Sequence, residues 1–309
     1  MPEKRYYIFL IISILIGVGL SSIFYSLDLQ YSSEHQNPYQ SDRDSYSRII
    51  CMSPSITEIV FELGLADNVI GVSGFCSYPP EATRKTNVGE YINPNLEKIF
   101  TLQPDLVIFQ GKHDKLANFC ISNSIPYFQI DFGKLNSILE TISKLGEKLN
   151  RKHESDILIK KINDEFKNLD RQISNLEKAR VLITLWRKPG SLSGIFTCGK
   201  GSFMNELLTI AGGENIFGDI ESLYFEVSLE SVSKRNPEVI IETLPGTDLT
   251  DKDKNEYISD WQSLSYIEAV KANRIYILTE DYLQIPGPRI SLAADCFAKA
   301  IHPEVRFDE

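Results

Sequence analysis

The sequence predicts an α/β fold made of two similar parallel-sheet lobes bridged by a long α-helix. Three observations carry this. Short β-branched runs alternate with helical patterns, which implies parallel strands joined by helices. An amphipathic helical pattern runs unbroken from 153 to 178 at mid-chain. The strand and helix pattern of the first half then recurs in the second.

The first 27 residues stand apart. Lys4 and Arg5 precede an uncharged apolar stretch from Tyr6 to Leu27. About 20 apolar residues span a bilayer as a helix, and the basic end belongs on the cytoplasmic side. A secretory signal has a shorter apolar stretch and a small-residue cleavage site. Neither that site nor a lipid-accepting cysteine follows here, so residues 1–27 read as an uncleaved anchor in preference to a cleaved signal. Residues 28–47 are polar, rich in Ser, Gln, Asp and Tyr, and read as a flexible tether.

Folded sequence begins at Arg48, with an N-terminal α/β lobe over 48–133. RIICM at 48–52 reads as a buried strand, and Ser55 with Glu58 as a capping box opening a helix. NVIGVSG at 68–74 and DLVIFQG at 105–111 read as further buried strands, and YFQID at 127–131 as the last strand of the lobe. Linking helices occupy 134–178: one over 135–150 and a longer one over 153–178, with apolar Leu158, Ile162, Phe166, Leu169, Ile173 and Leu176 on one face.

The C-terminal lobe covers 179–309. RVLIT at 180–184 echoes RIICM, and SFMNELLTIAGGENIFG at 202–218 echoes SITEIVFELGLADNVIG at 55–71. A sharper echo sets NLEKIFTLQPDLVI at 95–108 against SLESVSKRNPEVII at 228–241. Both carry Leu-Glu, then Pro seven residues after the Glu, then an acidic residue and a strand, as internal repeats of one unit do.

Composition narrows the function. Of the 309 residues 42% are hydrophobic and 24% charged, the balance of a globular chain. A net charge of −10 with no basic patch argues against a nucleic-acid partner. Four histidines without a His/Cys cluster point away from a protein-built metal site. The five cysteines are scattered without CxxC spacing and read as buried thiols, although one pair could bridge in an oxidising compartment. No nucleophile elbow, Walker loop or dinucleotide fingerprint occurs, so nothing recommends an enzyme.

The segments SPSITEIVFELGL, YPPEA, VGEYINPNLEKI and LQPDLVI occur in that order, followed downstream by FTCGKGSFMNELLTIAGGENIF and GPRISLAA. Together they resemble the periplasmic iron-siderophore and cobalamin-binding proteins of ABC importers, over about residues 48–303. That resemblance implies a ligand held in a shallow cleft between lobes: cobalamin, heme or a ferric siderophore, as a transported metal complex and not a permanent cofactor. Positions aligned with the family's cleft are Phe75, Tyr91, Phe196, Tyr224 and Asp281. Trp186 joins them because it follows a strand end, where ligand residues gather in α/β sheets. Arg289, at the start of the last helix, faces either an anionic ligand or a neighbouring carboxylate. The resemblance also implies that Glu97 and Glu230 dock the two lobes onto arginines of a permease dimer, which works with an ATPase. The alternative role on this architecture is a ligand-sensing ectodomain working with a partner protein, since only about five residues precede the anchor.

Overall fold

A computed structural model describes residues 45–307 of the chain, and the segments expected to form the anchor and most of the tether lie outside them. Among the described residues no helix is long and apolar enough to cross a membrane. The described residues divide into two compact units, 45–132 with 136–161, and 133–135 with 162–307.

The first unit is built on a five-stranded, wholly parallel sheet in the order β3-β2-β1-β4-β5. Its strands are β1 (Ile49–Cys51), β2 (Val69–Val72), β3 (Thr86–Asn87), β4 (Leu106–Gln110) and β5 (Tyr127–Ile130). Helices α1 (Pro54–Glu62), α2 (Leu96–Thr101) and α3 (Asp114–Ser122) make crossovers between them. β1 and most of β4 are buried, as strands covered on both faces must be. Ile50, Met52, Val88, Ile99, Val107, Phe109 and Leu116 form a common core.

The helix after β1 starts two residues earlier than the capping-box reading puts it. Ser53 is the cap, accepting the Ile56 N–H, with Pro54 at the first helical position. Ser55 and Glu58 lie inside α1 and are buried. An extended Ser followed by Pro outcompetes the S-x-x-E pattern, because proline's missing N–H costs nothing there.

Two helices follow, α4 (Leu135–Lys148) and α5 (Lys152–Ile173). They approach closely at one glycine: a Cβ on Gly146 would lie 2.1 Å from Ser155 Oγ. The boundary between the two units falls within α5. Leu158, Ile162, Leu169 and Ile173 form its buried stripe. The helix ends at Ile173 and not at 178, because Leu176 N–H turns back onto the Ile173 carbonyl.

The second unit holds a four-stranded parallel sheet in the order β11-β10-β6-β8. Its strands are β6 (Ala179–Thr184), β8 (Gly213–Asn215), β10 (Val239–Thr243) and β11 (Ile275–Leu278). Matched element by element, β8-β6-β10-β11 repeats β2-β1-β4-β5. This unit departs from an all-parallel lobe by inserting an antiparallel ribbon, β7 (Ile195–Cys198) with β9 (Tyr224–Val227). Its helices are α6 (Phe203–Ile210), α7 (Leu229–Arg235), α8 (Asp251–Trp261), α9 (Glu268–Lys271) and α10 (Ile290–Ile301).

The repeat extends to side-chain detail. Asn95 caps α2 and Ser228 caps α7. Gln103 and Asn236, just beyond those helices, both take left-handed φ, 47° and 43°. The Asp105 carboxylate accepts the Arg48 N–H at 2.9 Å, and that of Glu238 accepts the Arg180 N–H at 2.7 Å. Each arginine then donates to a carbonyl at the end of its helix, Leu102 for Arg48 and Arg235 for Arg180.

Candidate functional site

In parallel α/β sheets, loops at the carboxyl ends of the strands carry ligand residues. In the first unit β2 leads into the turn bearing half-buried Phe75, and β3 into the loop bearing Tyr91. That second loop is closed by an antiparallel bridge between Gly89 and Pro94. Gly89 is obligatory there: its φ is 91°, and a Cβ would sit 2.7 Å from Asn95 N and 2.8 Å from Asn93 O.

Tyr91 is fixed from three sides. Its hydroxyl donates to the Gln110 carbonyl at the end of β4. Its carbonyl pairs with His113 Nε2 at 2.7 Å, and the two rings meet edge-on at 5.1 Å. His113 Nδ1 accepts Leu116 N–H as the cap of α3, so the proton resides on Nε2. Burial, with the negative Asp131 nearby, pushes the Tyr91 hydroxyl up to about 12, so it stays a neutral donor. Sequence reasoning missed His113 as the residue that holds this loop. Its helix-capping position was the available signal.

Beside Tyr91, Glu90 Oε2 and Gln110 Oε1 are buried without a hydrogen-bond partner. Burial raises the Glu90 carboxyl. Both atoms are acceptors, which suits a ligand bearing N–H groups or a bridging water.

In the second unit the antiparallel ribbon gathers three of the predicted residues. Trp186 follows β6 and bridges to Phe196 of β7, with Phe196 N–H on the Trp186 carbonyl at 2.8 Å. Cys198 lies opposite Tyr224 and Phe196 opposite Glu226, so Phe196 and Tyr224 share one face of the ribbon. Phe196 is buried and Tyr224 half-buried. Burial and the neighbouring Cys198 raise the Tyr224 hydroxyl. The Trp186 ring lies against Gly194, whose φ of 66° turns the ribbon and whose added Cβ would meet the ring at 3.1 Å. Trp186 Nε1 is buried and lacks a partner.

Two residues absent from the sequence-based set position Trp186. Gln284 donates to the Leu185 carbonyl at 3.0 Å and to Thr243 Oγ1 at 2.8 Å, tying the ends of β6 and β10 together. Arg187 is almost wholly buried. Its guanidinium donates to Glu242 at 2.8 Å, Asp260 at 2.7 Å, the Ser191 carbonyl at 3.0 Å and the Tyr257 carbonyl at 2.9 Å. Trp261 shares the same Glu242 oxygen. Asp281, after β11, is gripped by Arg289 through two bonds of 2.8 and 3.1 Å. Arg289 thus faces a neighbouring carboxylate, and that carboxylate is itself one of the predicted site residues.

Glu97 and Glu230 are both exposed second residues of their helices, α2 and α7. Among the described residues no cluster of three or more His, Cys, Asp or Glu stands ready to hold a metal. All five cysteines are free thiols, four of them buried.

A family model described as periplasmic binding protein matches residues 49–282. The substrate-binding lipoprotein YvrC of Bacillus subtilis, described as an uncharacterized ABC transporter protein, is 28% identical over 265 residues, covering 83% of this chain and 80% of its own length. The vitamin B12-binding protein of Salmonella typhimurium is 29% identical over 256 residues, covering 82% of this chain and 90% of its own. Among solved structures, a possible iron-binding periplasmic solute-binding protein of Staphylococcus epidermidis aligns with a TM-score of 0.71 at 26% identity, covering 84% of this chain and 99% of its own. The periplasmic vitamin B12 binding protein BtuF of Vibrio cholerae aligns with a TM-score of 0.69 at 25% identity, covering 84% of this chain and 97% of its own.

Proposed function

This chain belongs to the periplasmic binding protein family, and on that footing we propose that it captures a metal complex outside the cytoplasm and delivers it to an ABC importer. The observation that carries the proposal is the family match, which runs through both structural units. Proteins of this family bind and hand over substrate, so the cargo is a passenger and not a resident cofactor.

Cobalamin or a ferric siderophore is the proposed cargo. Relatives are described as vitamin B12-binding, and one structural neighbour as possibly iron-binding. The aromatic residues Phe75, Tyr91, Trp186, Phe196 and Tyr224 supply flat apolar area with polar edges, which suits a corrin or a catecholate. The unpartnered Trp186 Nε1, Gln110 Oε1 and Glu90 Oε2 supply one donor and two acceptors for orientation. Asp281 serves through its pair with Arg289, offering a locally neutral polar patch in place of a bare carboxylate.

Glu97 and Glu230 are proposed as the permease contacts. The membrane attachment is proposed to be residues 6–27. YvrC is described as a lipoprotein, but the first cysteine of this chain is Cys51, buried in β1. A peptide anchor would therefore stand where that relative has a lipid. Reconstitution tests the whole reading. The chain, added with loaded cargo to vesicles carrying its permease and ATPase, should stimulate ATP hydrolysis and cargo uptake. An unchanged rate would count against it.

A further inference from the structure

Each of the two matched glutamates is accompanied by an aromatic ring that the fold leaves in water. Phe100 lies one turn after Glu97 on the same face of α2 and is 57% exposed. The position that matches Phe100 in the second unit is Ser233, a small hydroxyl. There the ring comes from another element. Tyr266, between Trp261 and α9, sets its hydroxyl 2.9 Å from Ser233 Oγ and is 55% exposed. Among the described residues only Phe100, Tyr266 and Ile157 are large apolar side chains more than half in solvent. Two of these three therefore sit beside the matched glutamates. Neither the Glu97 nor the Glu230 carboxylate makes an ion pair or hydrogen bond among the described residues.

We propose that Phe100 and Tyr266 are the apolar anchors of the docking surface, each ring working with its neighbouring glutamate. The partner is the membrane subunit of an ABC importer, offering a guanidinium beside an apolar hollow, once for each glutamate and ring. This rests on the docking role proposed above for Glu97 and Glu230. The division of labour follows from physics. An exposed carboxylate steers encounter and sets salt dependence but adds little lasting affinity. Aromatic side chains that are desolvated on binding supply most of the energy of a protein interface and govern dissociation. Isolated exposed hydrophobics are ordinary. Delivery of a ring to the same place by two different elements, each time beside an unpaired acid, is what singles these two out.

The test measures docking of the full chain onto its permease–ATPase complex, held in lipid nanodiscs, at low and high salt. F100A and Y266A should each weaken docking about tenfold through faster dissociation, at both salt concentrations. E97A and E230A should slow association, with an effect that fades at high salt. Y266F keeps the ring and should dock like the unaltered chain. Melting temperature and affinity for cyanocobalamin or a ferric siderophore should not change in F100A. If the unaltered chain does not dock at all, the transport reading fails and this proposal fails with it. If the glutamate variants weaken docking while F100A and Y266A dock normally, the glutamates stand and the aromatic anchors are overturned. Should Y266A fail to fold, F100A alone decides.

Discussion

Glu97 and Glu230 occupy the second position of two helices whose caps, left-handed ends and following strands are built alike. The equivalence reaches the arginines that close each helix, Arg48 and Arg180, and the acids that accept their backbone N–H groups, Asp105 and Glu238. A protein with one such glutamate per unit can offer equal contacts to a two-fold partner.

The first prediction concerns these glutamates. Replacing both by Ala should leave cargo affinity unchanged and cut transport, and replacing both by Arg should cut it further. If the two acids served only their helix dipoles, stability would fall by about 0.3–1 kcal/mol per site with transport per folded molecule intact. Full transport by a double variant that binds cargo and melts normally would contradict the docking role.

Arg187→Met should be severely destabilising. It strands Glu242 in the interior and releases Asp260 and the Ser191 carbonyl from the turn after Trp186. Breaking a buried pair in this way costs about 3–5 kcal/mol. Calorimetry should show a melting temperature lower by about 10 °C. The double change Arg187→Met with Glu242→Leu should recover part of the loss, because no buried charge is then left alone. A single variant as stable as the unaltered chain would show that the network is dispensable.

Glu90 carries the predicted pH dependence. Burial raises its folded-state pKa above the unfolded value. As pH rises through that window, the unfolded chain has already given up the proton that the folded chain still holds. Stability therefore falls with rising pH, and the penalty is fully present above the folded pKa. Glu90→Gln removes the penalty. It should raise the melting temperature at neutral pH and leave it unchanged below the unfolded pKa, where both side chains are neutral. A lower melting temperature at neutral pH would mean that the carboxylate has a stabilising partner.

Much of this fold is legible in the sequence because its core strands are self-announcing. IIC, LVIFQ and VIIET are short β-branched or aromatic runs between helical patterns, and their parallel pairing follows from that alternation. The ribbon is not legible, because β7 pairs with a partner nearly thirty residues away and neither strand alternates cleanly. Tyr91, Phe196 and Tyr224 could be nominated only through the resemblance to the family's cleft, and Trp186 because it follows a strand end. Arg187 and Gln284 could not, because a polar residue after a strand reads as surface. Only the fold brings Glu242 and Asp260, 55 and 73 positions on, to Arg187.

The N-terminal segment gives a further prediction. Protein recovered from its native membrane should begin before residue 6, since the apolar stretch lacks a small-residue cleavage site. N-terminal sequencing decides this. A mature start after Leu20 would replace the anchor with a removed signal.

Cargo capture is the central claim, and a thermal-shift titration tests it most directly. The purified chain is melted with cobalamin, cobinamide, heme and several ferric siderophores, each over a range of concentrations. One class should stabilise the chain by about 2.7 kcal/mol at 100 times its dissociation constant. Trp186→Ala should weaken that ligand without lowering the ligand-free melting temperature by more than a few degrees. A chain whose melting is indifferent to every metal complex in the panel would contradict the account.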